Sequence, residues 1–194
     1  MENEQIVAKA IEYITGLYQG NSDGHDLDHS LRVYHTAMNI AAAYDGCDSL
    51  TVALGALLHD VDDHKLFNTE NNANARKFLE SNNVTPQKTD EICAVINAVS
   101  FSKNKDKIPA TLEAGIVQDS DRLDAMGAIG IARTFAYGGK NGRSLDDSIR
   151  HFYDKLLLLK DLLHTKEARA MAEERQSMML SFLKEYKKET EHQV

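Results

Sequence analysis

The stretch from Leu57 to Lys65, LLHDVDDHK, closes a segment with almost no charge and then sets two histidines, three aspartates and a lysine within seven positions. Imidazole and carboxylate are the side chains that ligate divalent ions and move protons near neutral pH. The preceding SLTVALGALL distributes Leu50, Val52, Ala53, Leu54, Ala56, Leu57 and Leu58 around the whole helical circumference, the pattern of a central helix enclosed by others. His59 and Asp60 therefore end a buried element. A buried carboxylate left alone costs far more than the roughly 1–3 kcal/mol of a lost neutral hydrogen bond, so Asp60 requires a cation, a metal or a proton. Metal ligation would satisfy both side chains together.

Two further sets of residues carry the same chemistry. On a helix opening at Leu27, Leu31, Tyr34, Met38, Ala41 and Ala42 form one side of an apolar arc that continues through Ala37, Tyr44, Val33 and Ile40. His29 falls beside Val33 and Ile40 and points inward, whereas His35 shares the polar sector with Asp28, Arg32 and Asn39. In QDSDRLDAMG, residues 118–127, Asp124 lies within the stripe of Leu112, Ile116, Val117 and Leu123, with Asp121 and Asp119 at its edges. Three carboxylates so placed repel one another unless a positive charge is near, and Arg122 alone is a thin answer. Helical position does not choose which of them would bind a metal.

Other motifs fail on spacing. His59 and His64 are five residues apart and His59 is followed by Asp, which excludes the H-E-x-x-H zinc helix. DSDRLD places Leu123 and Asp124 where a calcium loop needs a ligand and a glycine. No phosphate-binding glycine loop, nucleophile elbow or dinucleotide fingerprint occurs.

The elements that must hold these residues read as helices throughout. Apolar spacing of three and four recurs from Ile6 to Leu183 with no strand-length alternation, so the expected fold is all-α. Helices are expected at 3–19, 27–45, 49–60, 70–81, 86–99, 109–125, 127–137, 145–163 and 166–188. Thr85 is read as a cap before Pro86, and Pro109 as the opening of the helix that carries the aspartates. Loops are expected at 20–26, 61–68, 100–108 and 138–144. The 194 residues suffice for a single domain spanning 1–194, with a core at about 20–140 and a C-terminal helical pair at about 145–190. Cys47 and Cys93 read as reduced thiols. Lys plus Arg total 22 against 30 Asp plus Glu, a net charge of −8 that disfavours an extended nucleic-acid partner. No uncharged apolar run approaches membrane-spanning length, and MENEQIVAKA does not read as a secretory leader, so no membrane partner and a cytoplasmic location are expected.

His29, the His59-Asp60 doublet and Asp121 in SDRL, in that order along an all-α chain, resemble the H…HD…D signature of the HD-domain metal-dependent phosphohydrolases. GHDLDHSLRV, LLHDVDDHKLF and QDSDRLDAMGAIGIARTF look like the small single-domain bacterial branch of that superfamily, as do YDKLLLLKDLLHT and RAMAEER further on. The resemblance implies an HD-domain helical bundle with His29, His59, Asp60 and Asp121 as metal ligands, Asp121 being chosen over Asp119 and Asp124 by the likeness of SDRL to the family's A-D-R-L. Such a donor set suits one divalent ion, expected to be Mn²⁺ or Mg²⁺, with Fe, Co, Ni and Zn also compatible.

The implied activity is hydrolysis of a small phosphorylated substrate, most plausibly a nucleotide, by a pyrophosphohydrolase or a nucleotidase. The ion would polarise a phosphoryl oxygen, acidify a water and neutralise developing charge. Asp63, a turn beyond Asp60, resembles the acidic residue that handles protons in nucleotidase members, and Lys65 follows it as a second catalytic candidate. Arg122, Arg133 and Lys155 are the candidate substrate-binding cations, because phosphate requires such donors. Lys103, Lys105 and Lys107 form a basic stretch that reads as a surface loop, and His151 and His164 as structural or surface residues. The rival reading is a non-catalytic module that uses the same site to bind metal or nucleotide, contacting its partner through the amphipathic C-terminal helices. Those helices also permit a homodimer.

Overall fold

A computed structural model describes residues 2–19, 27–64, 66–105 and 107–191. The described residues contain no strand, and the chain is all-α as expected: α1 (Glu2–Leu17), α2 (Leu27–Ala41), α3 (Ser49–Leu58), α4 (Ala73–Ser81), α5 (Pro86–Val99), α6 (Phe101–Asn104), α7 (Leu112–Asp124), α8 (Gly127–Lys140), α9 (Leu145–Asp154), a 3₁₀ segment (Leu156–Leu162) and α10 (Lys166–Glu191). The expected 20–26 loop lies outside the described residues. None of the described helices is long and apolar enough to cross a membrane. Both cysteines are free thiols.

The chain forms two compact units, Met1–Asp121 and Arg122–Val194. In the first unit α3 packs against α1, α2 and α5, which is what its all-round apolar sequence requires. Val52, Leu54, Ala56, Leu57 and Leu58 are fully buried there, in a core that also holds Ile14 of α1, Leu79 of α4 and Ile92 of α5. Gly55 lets α3 approach α5 closely: a Cβ at that position would lie 2.7 Å from Val95 Cγ1. Asp48 caps α3, its Oδ1 accepting from Leu50 and Thr51 N–H at 3.1 Å each.

In the second unit α8 packs on α10 and α9, and Phe135, Phe152 and Phe182 pack with ring centroids 5.7–6.1 Å apart. Gly127 starts α8 from a left-handed backbone (φ 69°), where Arg175 passes close by.

Several boundaries differ from expectation for local reasons. The helix expected from residue 70 begins at Ala73, because Asn71 and Asn72 are left-handed (φ 56° and 55°) and cannot belong to it. Asp62 substitutes for the missing local cap by accepting from Asn74 and Ala75 N–H at 2.9 and 3.0 Å. Thr85 does cap α5, accepting from Lys88 N–H. Pro109 does not open α7; Thr111 caps it, accepting from Ala114 N–H at 3.2 Å. The single helix expected at 145–163 breaks at Lys155 (φ −140°), after which a 3₁₀ segment buries Leu156 and Leu159, three residues apart. Three residues per turn put that spacing on one side. The expected 100–108 loop contains α6, held by Asn104 Nδ2 donating to the carbonyls of Asn97 and Ser100.

Candidate metal centre

α3 delivers His59 as its C-cap, and the chain then turns, with Asp63 N–H donating to the Asp60 carbonyl at 3.0 Å. α2 brings His29 inward, 1% exposed, on the face that also buries Val33 and Ile40. α7 contributes Asp121, whose side chain is 25% exposed. These residues converge. His29 Nε2 lies 3.2 Å from His59 Nε2, 3.5 Å from Asp60 Oδ2 and 3.4 Å from Asp121 Oδ1. His59 Nε2 lies 3.3 Å from Asp60 Oδ2 and 3.9 Å from Asp121 Oδ1.

The tautomer of His59 follows from its other nitrogen. Nδ1 sits 2.8 Å from the Ala56 carbonyl, which can only accept, so Nδ1 carries the proton and Nε2 presents a lone pair to the cluster. Two carboxylates crowded against two imidazole nitrogens call for a cation or a shared proton among them. Donors about 2.1 Å from an ion stand about 3.0–3.4 Å apart in octahedral or tetrahedral arrangement, close to the spacings here. His29, His59 and Asp121 can thus hold a metal ion, and Asp60 Oδ2 lies within 3.5 Å of both imidazole nitrogens. Without a metal, protons take part of that role. Burial disfavours the His59 imidazolium, but Asp60 and Asp121 outweigh it and hold its pKa above the usual value. Burial also opposes ionisation of Asp121, yet the His29 hydrogen bond and the two imidazoles bring its pKa below the ordinary carboxylate value.

The remaining candidates have varied surroundings. Of the three α7 aspartates, Asp119 is fully buried and Asp124 is ion-paired with Arg133. Asp63 is largely buried, its carboxylate 3.8 Å from His64 Nδ1, and His64 itself is exposed. Lys65 lies outside the described residues. Arg122 is buried, with Nη1 donating to the Leu162 carbonyl and 3.3 Å from His164 Nε2. Lys155 occupies the C-cap of α9. Sequence pattern gave no sign of the Ala56 carbonyl that fixes His59, because every residue carries a carbonyl. The capping role of Asp62 was also missed, and the Asn pair before α4 was the available signal.

Comparison with known proteins shows the family. The HD domain family matches residues 26–126. YpgQ of Bacillus subtilis is 35% identical over 186 residues, covering 91% of this chain and 90% of that protein. The crystal structure of YpgQ in complex with ADP aligns at a TM-score of 0.84, with 31% identity over 97% of each chain. An HD-superfamily hydrolase from Bacillus thuringiensis aligns at 0.81, with 35% identity over the full length of both chains. With the family match spanning the segment that carries all four converging residues, and with relatives alike along almost the whole length, this chain belongs to the HD domain family, a fold of metal-dependent phosphohydrolases.

Proposed function

We propose that the protein hydrolyses a nucleotide, with His29, His59, Asp60 and Asp121 holding one Mn²⁺ or Mg²⁺ ion. The observation that carries this reading is the convergence of the two Nε2 atoms with Asp60 Oδ2 and Asp121 Oδ1 at 3.2–3.9 Å. A mixed imidazole and carboxylate set suits borderline-to-hard divalent ions. A single ion fits because His64 is the one histidine between Asp60 and Asp121, and its side chain is 74% exposed. The nucleotide assignment is supported by the ADP complex of YpgQ. The likeness to the small bacterial branch favours release of pyrophosphate from a nucleoside triphosphate.

When bound, the ion supplies Lewis acidity toward a phosphoryl oxygen and local positive charge in a chain of net charge −8. The protein's own groups do the rest. Ala56 orients the His59 ring, and the burial of both histidines keeps bulk water from competing for their nitrogens. In this reading Asp63 takes up the proton of the attacking water on a carboxylate oxygen. Lys65, Arg122, Arg133 and Lys155 are assigned as phosphate donors on their sequence positions, and Arg133 must compete with its Asp124 pairing to serve.

The test is separate measurement of phosphate and pyrophosphate release from nucleoside mono-, di- and triphosphates with Mn²⁺ or Mg²⁺. The His59→Ala, Asp60→Ala double variant serves as control. Turnover of one substrate class that vanishes in the variant is the expected result. Silence across the panel by a parent protein that binds metal would replace this reading with a binding module.

A further inference from the structure

Beside the cluster, two hydroxyls are buried without a hydrogen-bond partner among the described residues. They are Tyr18 Oη, in a residue 3% exposed, and Ser30 Oγ, in a residue 0% exposed. An unpaired buried hydroxyl costs stability, and two together call for a physical reason. Their position supplies one. The Tyr18 ring lies 6.4 Å, centroid to centroid, from Phe67, whose N–H donates to the Asp63 carbonyl at 2.9 Å. That residue's N–H in turn donates to the Asp60 carbonyl. On the other side, Ser30 is the chain neighbour of His29, whose Nε2 lies 3.5 Å from Asp60 Oδ2.

The two hydroxyls are near enough to influence each other yet do not meet hydrogen-bond geometry. Burial, then the charges of Asp60 and Asp63, raise the Tyr18 pKa, so the phenol keeps its proton and remains a donor. Substrate has little access to groups this enclosed. One water molecule suits a place with two hydroxyls and a nearby carboxylate, since a buried water needs two to four polar partners.

We propose that Tyr18 and Ser30 are positioning residues whose hydroxyls hold one buried water, hydrogen-bonded onward to the Asp60 carboxylate and orienting it toward the ion. This rests on the assignment of Asp60 as a metal ligand. Outer partners of this kind tune metal affinity about 10–100-fold.

The experiment is calorimetric titration of Mn²⁺ into the metal-free parent, Tyr18→Phe, Ser30→Ala and the double variant, with urea unfolding of each metal-free form. Tyr18→Phe is expected to stay folded with a metal-free stability close to the parent's, because it loses one hydrogen bond to the water and keeps the packing of the ring. Its Mn²⁺ Kd is expected to rise about tenfold. The double variant should be little worse than either single one, since all lose the same water. If Tyr18→Phe fails to fold, Ser30→Ala reads the same water. A Kd within about twofold of the parent in both single variants overturns the proposal. So does a fall in kcat/KM at saturating metal with unchanged Kd, which would mean direct substrate contact. A parent that binds no Mn²⁺ overturns both this proposal and the metal assignment beneath it, whereas equal binding by parent and variants overturns the water alone.

Discussion

The two ends of α3 carry similar chemistry and opposite outcomes. At its start, Asp48 accepts from two backbone N–H groups, from the Thr51 hydroxyl at 2.9 Å and from Lys88 Nζ at 2.6 Å. Its negative charge also faces the positive end of the helix dipole. Every demand of that carboxylate is met within the chain. At the other end, Asp60 sits where the dipole disfavours an anion, and its Oδ2 is shared between two imidazole nitrogens only 3.2 Å apart. A cation placed there would satisfy the dipole, Asp60 and Asp121, and would take both ring nitrogens as ligands. One end of the helix is finished by the protein; the other is built to be finished by something else.

Removing that cation is the largest way to break the contrast. With Mn²⁺ at a hundred times its Kd, binding adds about 2.7 kcal/mol to stability, and a chelator should take all of it away. Asp121→Ala should show no metal-dependent shift in urea unfolding, since it deletes one donor from a side chain already a quarter exposed. The Asp48 end should respond to neither treatment. An Asp121→Ala protein stabilised by Mn²⁺ as much as the parent would remove Asp121 from the ligand set.

The packing between the two ends offers a smaller perturbation. Gly55→Ala gains about 1 kcal/mol of helix propensity, but overpacking costs about 1–3 kcal/mol. Here the new methyl would stand 2.7 Å from Val95 Cγ1 and 3.4 Å from Val95 Cβ. A β-branched valine on a buried helix has few rotamers in which to escape. The expected net loss is about 1 kcal/mol in urea unfolding, with Mn²⁺ affinity reduced because α3 carries His59. Val95→Ala in the same chain should restore the affinity. Unchanged stability and affinity in Gly55→Ala would show that α3 shifts without disturbing its C-terminal end.

Much of this was legible in the sequence, for identifiable reasons. All-round hydrophobicity announced α3 as central, and the phase of His29 against Val33 and Ile40 announced its burial. These are properties of periodicity, which the chain displays openly. Helix phase alone left Asp119, Asp121 and Asp124 undecided. In the structure Asp119 and Asp124 are the more buried, and Asp121 is the one facing both imidazoles. What selects it is the rotation of α7 against α2 and α3, a tertiary property absent from the spacing within one helix. The break at Lys155 was hidden because LLLLKDLL satisfies a helical period as readily as a 3₁₀ one. Asp48, immediately before the apolar run of α3, was a readable cap signal and went unused.

The smallest effect tests the finished end alone. Burial would raise the Asp48 pKa, but the Lys88 hydrogen bond, the Thr51 N–H and hydroxyl, and the Lys88 charge outweigh it and bring it below the ordinary value of 3.8. A carboxyl depressed on folding contributes stability above its unfolded pKa and loses it as pH falls through the folded one. Asn caps a helix about as well as Asp, so Asp48→Asn removes charge while keeping the cap. Both members of the pair are partly exposed, and solvent screening limits the loss at pH 7 to about 0.5 kcal/mol. The difference between parent and variant should stay constant from pH 7 to about 5, then shrink toward zero below pH 3.8 as Asp48 becomes neutral in both states. Taking the difference cancels the titration of the metal cluster, which both proteins share. A gap that persisted undiminished at pH 3 would show that the charge of Asp48 contributes nothing, and that its worth lies in hydrogen-bond geometry alone.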